Sequence, residues 1–192
     1  MDFKGAKKYI LDRLEQELNP NLFYHGVHHT IDVYEVSIKI AELENLNQEE
    51  KIIINTAALY HDAGFLFEYQ DNERLAVRLV KEMLPSFGYN KKQMQAISEI
   101  VLSTKVQARP TSLLQKIMSD ADSDYLGRED NLKIADSLYQ ELGENGFSFT
   151  DKEWNEMQIM FLTQHKYHTR SSISLRSEKK QDYLRHLKGL EI

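Results

Sequence analysis

A histidine and an aspartate stand side by side in the stretch Leu59-Tyr60-His61-Asp62-Ala63-Gly64. The pair ends an apolar run that includes Ile52-Ile53-Ile54 and Ala57-Ala58, so it lies on a helix suited to burial. Burying an unpaired carboxylate is costly or raises its pKa until it is neutral, whereas a divalent cation stabilises the charged carboxylate and keeps the imidazole neutral. The pair therefore predicts a metal site, although a His-Asp dipeptide alone has a high false-positive rate. Gly64 predicts an exit from the helix in a backbone conformation that a Cβ would resist.

Length and composition favour one all-helical domain. The 192 residues include only three prolines and eight glycines and are rich in helix-forming residues. The absence of cysteine excludes disulfides, thiolate zinc sites and a cysteine nucleophile. We expect a cytoplasmic protein, since the N-terminus lacks the apolar core of a signal peptide and no stretch is long and apolar enough to span a membrane. The net charge of −6 argues against a nucleic-acid polymer as partner, but a locally basic pocket can still hold a small phosphate.

A second histidine lies on the apolar face of another predicted helix. His29 is followed by Val33, Val36 and Ile40 at steps of four, three and four residues, so it faces inward. The ordinary interpretation of one such residue is a core histidine bonded to a backbone carbonyl. His25, one turn earlier, either faces the same cavity or is simply a residue at the helix N-terminus.

An aspartate occupies a comparable place on a later helix. Asp122 follows Leu114 and Met118 at intervals of one turn and therefore projects from an apolar face. Asp120 and Asp124 lie on other faces of that helix, and an acidic stretch of this kind is ordinarily solvated. Three helices thus direct two imidazoles and two carboxylates inward. That mixed donor set suits Mn²⁺, Fe²⁺, Co²⁺, Ni²⁺, Zn²⁺ or, less readily, Mg²⁺.

The order of these residues resembles the HD-domain superfamily of metal-dependent phosphohydrolases, in which the pattern H…HD…D lies on an all-helical bundle. Three segments carry the resemblance: Tyr24-His25-x-x-x-His29-Thr30, His61-Asp62-Ala63-Gly64-Phe65 and Asp120-Ala121-Asp122. The motif-bearing core spans residues 24–126, and helices over residues 128–190 extend the resemblance to the single domain 1–192. The resemblance implies an all-α bundle, a bound divalent metal ion and hydrolysis of a phosphate ester.

The resemblance also implies a role for each matched residue. It makes four residues metal ligands: His29, His61, Asp62 and Asp122. Separately from the resemblance, we expect Asp62 to be catalytic as the carboxylate that orients the attacking water and accepts its proton, a role that Asp122 could also fill. His25 becomes the catalytic acid, since the corresponding histidine of cyclic-nucleotide phosphodiesterases protonates the leaving oxygen.

Departures from the family pattern bear on the metal count and the substrate. Two-metal members carry further histidines after the His-Asp pair, whereas this chain has none between His61 and His165, so we expect one metal ion. Glu73 or Glu68 could help to hold a second. The missing histidines favour a nucleotide monoester, while the Tyr24-His25 step favours a cyclic diester.

Cationic candidates for phosphate binding are chosen by charge alone, against the commoner interpretation of a solvated basic face. They are Lys105, Arg170, Arg176 and Lys179. The expected partner is a small phosphorylated molecule, with a nucleotide favoured, and a homo-oligomer is possible.

Two other functions compete with hydrolysis. A regulatory module that binds a nucleotide or metal without turnover predicts damage somewhere in the ligand set, yet all four positions are intact. A bundle whose histidines are only core residues predicts a stability that is indifferent to chelators.

Overall fold

The computed structural model describes residues 1–106 and 108–189. Within this part of the chain nine α-helices follow one another: α1 (Phe3–Glu17), α2 (Val27–Leu43), α3 (Gln48–Tyr60), α4 (Asn72–Met83), α5 (Lys91–Leu102), α6 (Leu113–Asp122), α7 (Asn131–Glu144), α8 (Asp151–Gln164) and α9 (Arg170–Gly189). Short 3₁₀ turns lie at three places: Ala63–Leu66, Leu84–Phe87 and Asp124–Gly127. The described residues form no strand, so the all-α prediction is confirmed.

Side-chain caps fix where the site-bearing helices begin. At the start of α3, Asn47 accepts a hydrogen bond of 3.0 Å from the backbone N–H of Glu50, whose carboxylate accepts one of 2.9 Å in return. Ser112 caps α6 in the same way, accepting a bond of 3.2 Å from the backbone N–H of Gln115. Each capping box satisfies backbone donors that would otherwise lack partners. Each cap thus fixes the start of a helix whose C-terminal end carries predicted ligands.

The main core lies among α1 to α6. Fully buried aliphatic side chains from these helices fill it: Ile10, Leu14, Ile54, Leu59, Ile97, Ile117 and Met118. Burying each such side chain contributes about 1.5–3 kcal/mol. Helix α2 packs along both α3 and α6. This packing brings the C-terminal ends of α3 and α6 to the N-terminal turn of α2.

In the described part of the chain, no helix combines the length and apolarity that a membrane crossing requires.

The C-terminal helices form a smaller cluster of their own. Helix α9 packs on α8 and on the 3₁₀ turn Asp124–Gly127. Five buried side chains make this cluster: Leu126, Leu162, Tyr183, Leu184 and Leu187. The turn that follows the last predicted ligand is therefore covered by the end of the chain.

The acidic stretch at the end of α6 is not solvated as its composition suggests. Asp120 is 0% exposed and Asp124 is 3% exposed. Asp120 accepts hydrogen bonds of 2.8 Å from the backbone N–H groups of His168 and Thr169, where α9 begins. Asp124 accepts two hydrogen bonds, of 2.7 and 2.9 Å, from the guanidinium of Arg176. Both carboxylates are buried because they anchor α9, and the expectation of a solvated stretch is wrong for these two residues.

Gly64 is required for a different reason from the one predicted. The glycines with left-handed backbone conformations in the described residues are Gly88 and Gly146, so the expected conformational role of Gly64 is wrong. Instead, the backbone carbonyl of Asn72 at the start of α4 lies where a Cβ of residue 64 would be. Close approach of two backbone segments, rather than an unusual φ angle, excludes a side chain here.

We expect Gly64→Ala to lower the free energy of unfolding by about 1–3 kcal/mol or more, because the new Cβ must displace the backbone of α4. Gly143→Ala is the matched control, since nothing lies within 4 Å of a Cβ at that helical position. It should leave stability unchanged or raise it by up to about 1 kcal/mol. Urea denaturation followed by circular dichroism measures both changes. Equal stabilities for the two variants would contradict the close approach.

Candidate metal centre

Two imidazole rings face each other between α2 and α3. The Nε2 atoms of His29 and His61 are 3.4 Å apart, and both side chains are buried. The Nδ1 atom of His61 lies 2.8 Å from the carbonyl oxygen of Ala58. A neutral His61 ring therefore carries its proton on Nδ1 and presents the lone pair of Nε2 to His29.

Two carboxylates contact the same pair of nitrogens. Asp62 Oδ2 is 3.0 Å from Nε2 of His61 and 3.4 Å from Nε2 of His29. Asp122 Oδ1 is 3.2 Å from Nε2 of His29 and 3.7 Å from Nε2 of His61. One donor atom each of His29, His61 and Asp122 lies within 4.8 Å of the other two. The structure thus brings the four sequence-predicted ligands together at one point.

The chemistry of this donor set fits a divalent cation. Asp62 Oδ2 is buried and has no hydrogen-bond partner among the described residues. An unsatisfied buried carboxylate oxygen is costly, and a cation placed among these four groups would balance it. Imidazole nitrogen and carboxylate oxygen together suit Mn²⁺, Fe²⁺, Co²⁺, Ni²⁺ and Zn²⁺.

The carboxylates also attract protons to the imidazoles. Burial lowers the pKa of His61, but the nearby charges of Asp62 and Asp122 outweigh burial and raise it to about 9. Burial raises the pKa of Asp62, and the imidazole of His61 more than reverses this, so the pKa lies well below its usual range. The site therefore favours positive charge at its centre, which a proton or a metal ion can supply.

His25 lies beside this group, at the turn that leads into α2. Its ring centroid is 5.9 Å from that of His29, and the ring stacks on Phe65 with centroids 4.4 Å apart. Its Nδ1 forms a short hydrogen bond with the carboxylate of Glu141. Burial lowers the pKa of His25. The hydrogen bond to Glu141 and the charges of Asp62 and Glu141 outweigh this effect, so the net shift of the pKa is upward. The predicted acid thus lies next to the predicted ligands and favours its protonated form.

Glu141 is a residue that the sequence does not reveal. It lies on α7 and is 0% exposed, and its carboxylate accepts hydrogen bonds from the backbone N–H groups of Tyr24 and His25 and from the hydroxyl of Tyr69. Glu141 is one of 30 acidic residues and lies 116 positions from His25, with no motif around it. No signal in a single sequence distinguishes it.

Most of the cationic residues predicted to hold phosphate form ion pairs with carboxylates. Three of the four are paired with carboxylates: Lys105 with Asp71, Arg176 with Asp124 and Lys179 with Glu129. Arg170 is exposed at the first turn of α9. Their role in phosphate binding stays a prediction.

The two glutamates considered for a second metal ion lie outside the donor group. In the described part of the chain, the residues close enough to share an ion are His29, His61 and Asp122, with Asp62 in contact. Glu73 is half-buried in the first turn of α4, and Glu68 is exposed. The expectation of one metal ion therefore stays a prediction, and the donor group gives it a single location.

The fold and this site define a helical protein with a buried nitrogen and oxygen centre suited to a divalent metal ion. A model of the HD domain family matches residues 26–124, a range that contains all four candidate ligands. The chain belongs to the HD domain family, whose members are generally metal-dependent phosphohydrolases. A comparison with curated protein sequences gives no match.

Solved structures of Bacillus subtilis YpgQ share the fold over the full chain. The structure of YpgQ has a TM-score of 0.70 and 21% identity and covers 100% of this chain and 96% of that chain. The complex of YpgQ with ADP has a TM-score of 0.68 and 20% identity and covers 98% of this chain and 96% of that chain. The selenomethionine form has a TM-score of 0.68 and 22% identity, with 98% and 95% covered. At these identities the likeness concerns the fold.

We expect His61→Ala and Asp122→Asn each to abolish tight binding of a divalent ion, because each removes a donor from the centre. His186→Ala, an exposed histidine on α9, is the control and should bind as the wild type does. Isothermal titration with Mn²⁺ and Zn²⁺ measures the affinity, and thermal unfolding measures stability. Saturating metal should stabilise the wild type by about 2.7 kcal/mol at a hundredfold excess over Kd, and a chelator should remove that gain. Unchanged metal content in both ligand variants would rule out this centre.

Proposed function

We propose that this protein is a metal-dependent phosphohydrolase that cleaves a phosphate ester of a small molecule, with nucleotides as the favoured substrate class. The observation that carries the proposal is the buried, unsatisfied Oδ2 of Asp62 beside the facing nitrogens of His29 and His61. Family membership supports hydrolysis, and the ADP bound by YpgQ, which has the same fold, supports a nucleotide. Both a monoester and a cyclic diester remain consistent with the site.

Four residues would hold the cation that this chemistry needs: His29, His61, Asp62 and Asp122. When bound there, a divalent ion would supply Lewis acidity to polarise a phosphoryl oxygen and lower the pKa of a water molecule. The Asp62 carboxylate, which lies against both imidazoles, is the group that can orient the attacking water and accept its proton. Asp122, whose side chain is 27% exposed, lies on the more open side of the group.

His25 completes the proposed reaction as the acid. Cleavage of the ester bond leaves an alkoxide, which is a poor leaving group unless it is protonated as the bond breaks. His25 lies beside the ligands, and its raised pKa favours the imidazolium that can donate this proton. General acid catalysis of this kind contributes about two to four orders of magnitude in rate.

We expect metal-loaded protein to release phosphate from nucleoside monophosphates, or a monophosphate from cyclic nucleotides, and Asp62→Ala to reduce turnover by at least about a hundredfold. Glu178→Ala is the control, since that residue is exposed on α9 and is not a candidate ligand. A panel of monoesters, cyclic diesters and nucleoside di- and triphosphates, with products separated by chromatography, identifies the bond that is cleaved. A metal-bound wild type that is inactive on the whole panel would favour a regulatory module instead.

The acid role predicts a dependence on the leaving group. His25→Ala should lower kcat by about a hundredfold or more for alkyl esters and have little effect on nitrophenyl esters, because nitrophenolate needs no proton to depart. Steady-state kinetics on matched pairs of esters measures this difference. His168→Ala, an exposed histidine outside the site, should leave both rates unchanged. An equal loss on both ester types would exclude His25 as the acid.

A further inference from the structure

One carboxylate holds both the backbone and the ring of His25. Glu141 Oε2 accepts hydrogen bonds of 2.8 Å from the backbone N–H of Tyr24 and 2.9 Å from the backbone N–H of His25. Glu141 Oε1 bonds Nδ1 of His25 and accepts a hydrogen bond of 3.1 Å from the hydroxyl of Tyr69. The two oxygens of one carboxylate thus hold both the backbone and the ring of His25.

Burial makes this arrangement specific to the histidine. Glu141 is 0% exposed, and its one ionic partner among the described residues is His25. A buried carboxylate is stable only when several donors surround it. Here two backbone amides, one hydroxyl and one ring N–H do so. If the Glu141 carboxylate served only to hold the turn before α2, its two hydrogen bonds to backbone N–H groups would suffice. Its hydrogen bond to Nδ1 additionally constrains the imidazole ring of His25.

We infer that Glu141 is the positioning residue of His25, which fixes the orientation and the tautomer of the ring so that Nε2 is the atom that transfers the proton. The inference rests on the proposed function, in which His25 is the acid. The ester bond between phosphorus and the leaving oxygen breaks, the Nε2–H proton passes to that oxygen, and neutral His25 keeps Nδ1–H bonded to Glu141. No further reactant is needed, because the water that attacks phosphorus supplies the other oxygen of the products.

Tyr69 extends the same network to the loop before α4. It lies on the segment that follows the 3₁₀ turn Ala63–Leu66, and its ring is 5.4 Å from that of Phe65. Phe65 in turn stacks on His25. Tyr69→Phe removes one donor to Glu141 but leaves the bond to His25, so it should have a small effect compared with a change at Glu141.

Glu141→Gln separates positioning from folding. The amide oxygen can still accept from the two backbone N–H groups, whereas the amide nitrogen then faces Nδ1 of His25 and can only donate. The ring must place its proton on Nε2 and remain neutral, which makes it a weak acid. Folding should therefore be retained while the proton donor is lost.

Kinetics on paired esters tests this prediction. In Glu141→Gln, kcat for alkyl esters of the class that the wild type hydrolyses should fall by at least about tenfold with KM unchanged, and nitrophenyl esters should react almost as before. Glu144→Gln makes the same chemical change at an exposed position one turn further along α7 and should be neutral. Equal losses on both ester types, or none on alkyl esters, would overturn the inference.

A double variant shows whether Glu141 acts through His25. In the His25→Ala background, Glu141→Gln should cause no further loss of kcat, since the ring that it positions is absent. A multiplied loss would instead indicate a separate structural role. If His25→Ala itself has no effect on alkyl esters, the proposed acid fails, and this outcome differs from a failure of Glu141 alone.

Nitrogen NMR of the imidazole rings tests the same inference without turnover. In the wild type, Nδ1 of His25 should carry a proton in a strong hydrogen bond, and Glu141→Gln should move the proton to Nε2. The spectra use the intact chain with and without Mg²⁺, so they remain informative even if no substrate is found. A wild-type His25 with Nδ1 unprotonated would contradict the inference directly.

Discussion

The candidate metal centre depends on the contact of the Asp62 carboxylate with two buried imidazole nitrogens. Asp62 Oδ2 has no hydrogen-bond partner among the described residues, and it lies 3.0 Å from Nε2 of His61 and 3.4 Å from Nε2 of His29. This group would repel itself without positive charge at its centre. The packing of α2 against α3 and α6 holds the donors together, so the burial of the aliphatic core offsets the electrostatic cost of bringing these groups close to one another.

Helical periodicity accounts for what could be predicted from the sequence. A residue that shares a face with aliphatic side chains must point into the core, and this alone places His29 and Asp122 inward. Capping signals such as Asn47 with Glu50 fixed the helix boundaries within a few residues. Because α2, α3 and α6 belong to one bundle, inward-facing ligands on three helices have few places to meet. The candidate centre was therefore accessible before any coordinates.

Helical periodicity predicts which face of a helix is buried, but not which residues contact that face. The predictions that were wrong share this cause. Asp120 and Asp124 are buried because their partners are Thr169 and Arg176, which lie about fifty residues later in the chain. Gly64 is required by the carbonyl of Asn72, which no local conformational rule describes. In each case the determining contact joins two different structural elements, whether eight or about fifty residues apart. One sequence contains no record of which distant segments touch.

Two buried carboxylates near His25 have opposite hydrogen-bonding states, and the contrast assigns their roles. Glu141 is fully satisfied by protein donors, so it has no capacity left for a ligand and can act only through the groups that it holds. Asp62 keeps an unsatisfied oxygen, so it is the one that can take up a cation and a water molecule. A site that must bind and also hold an acid in place needs both states. Their proximity to one histidine is what makes hydrolysis, rather than binding alone, the function that this geometry supports best.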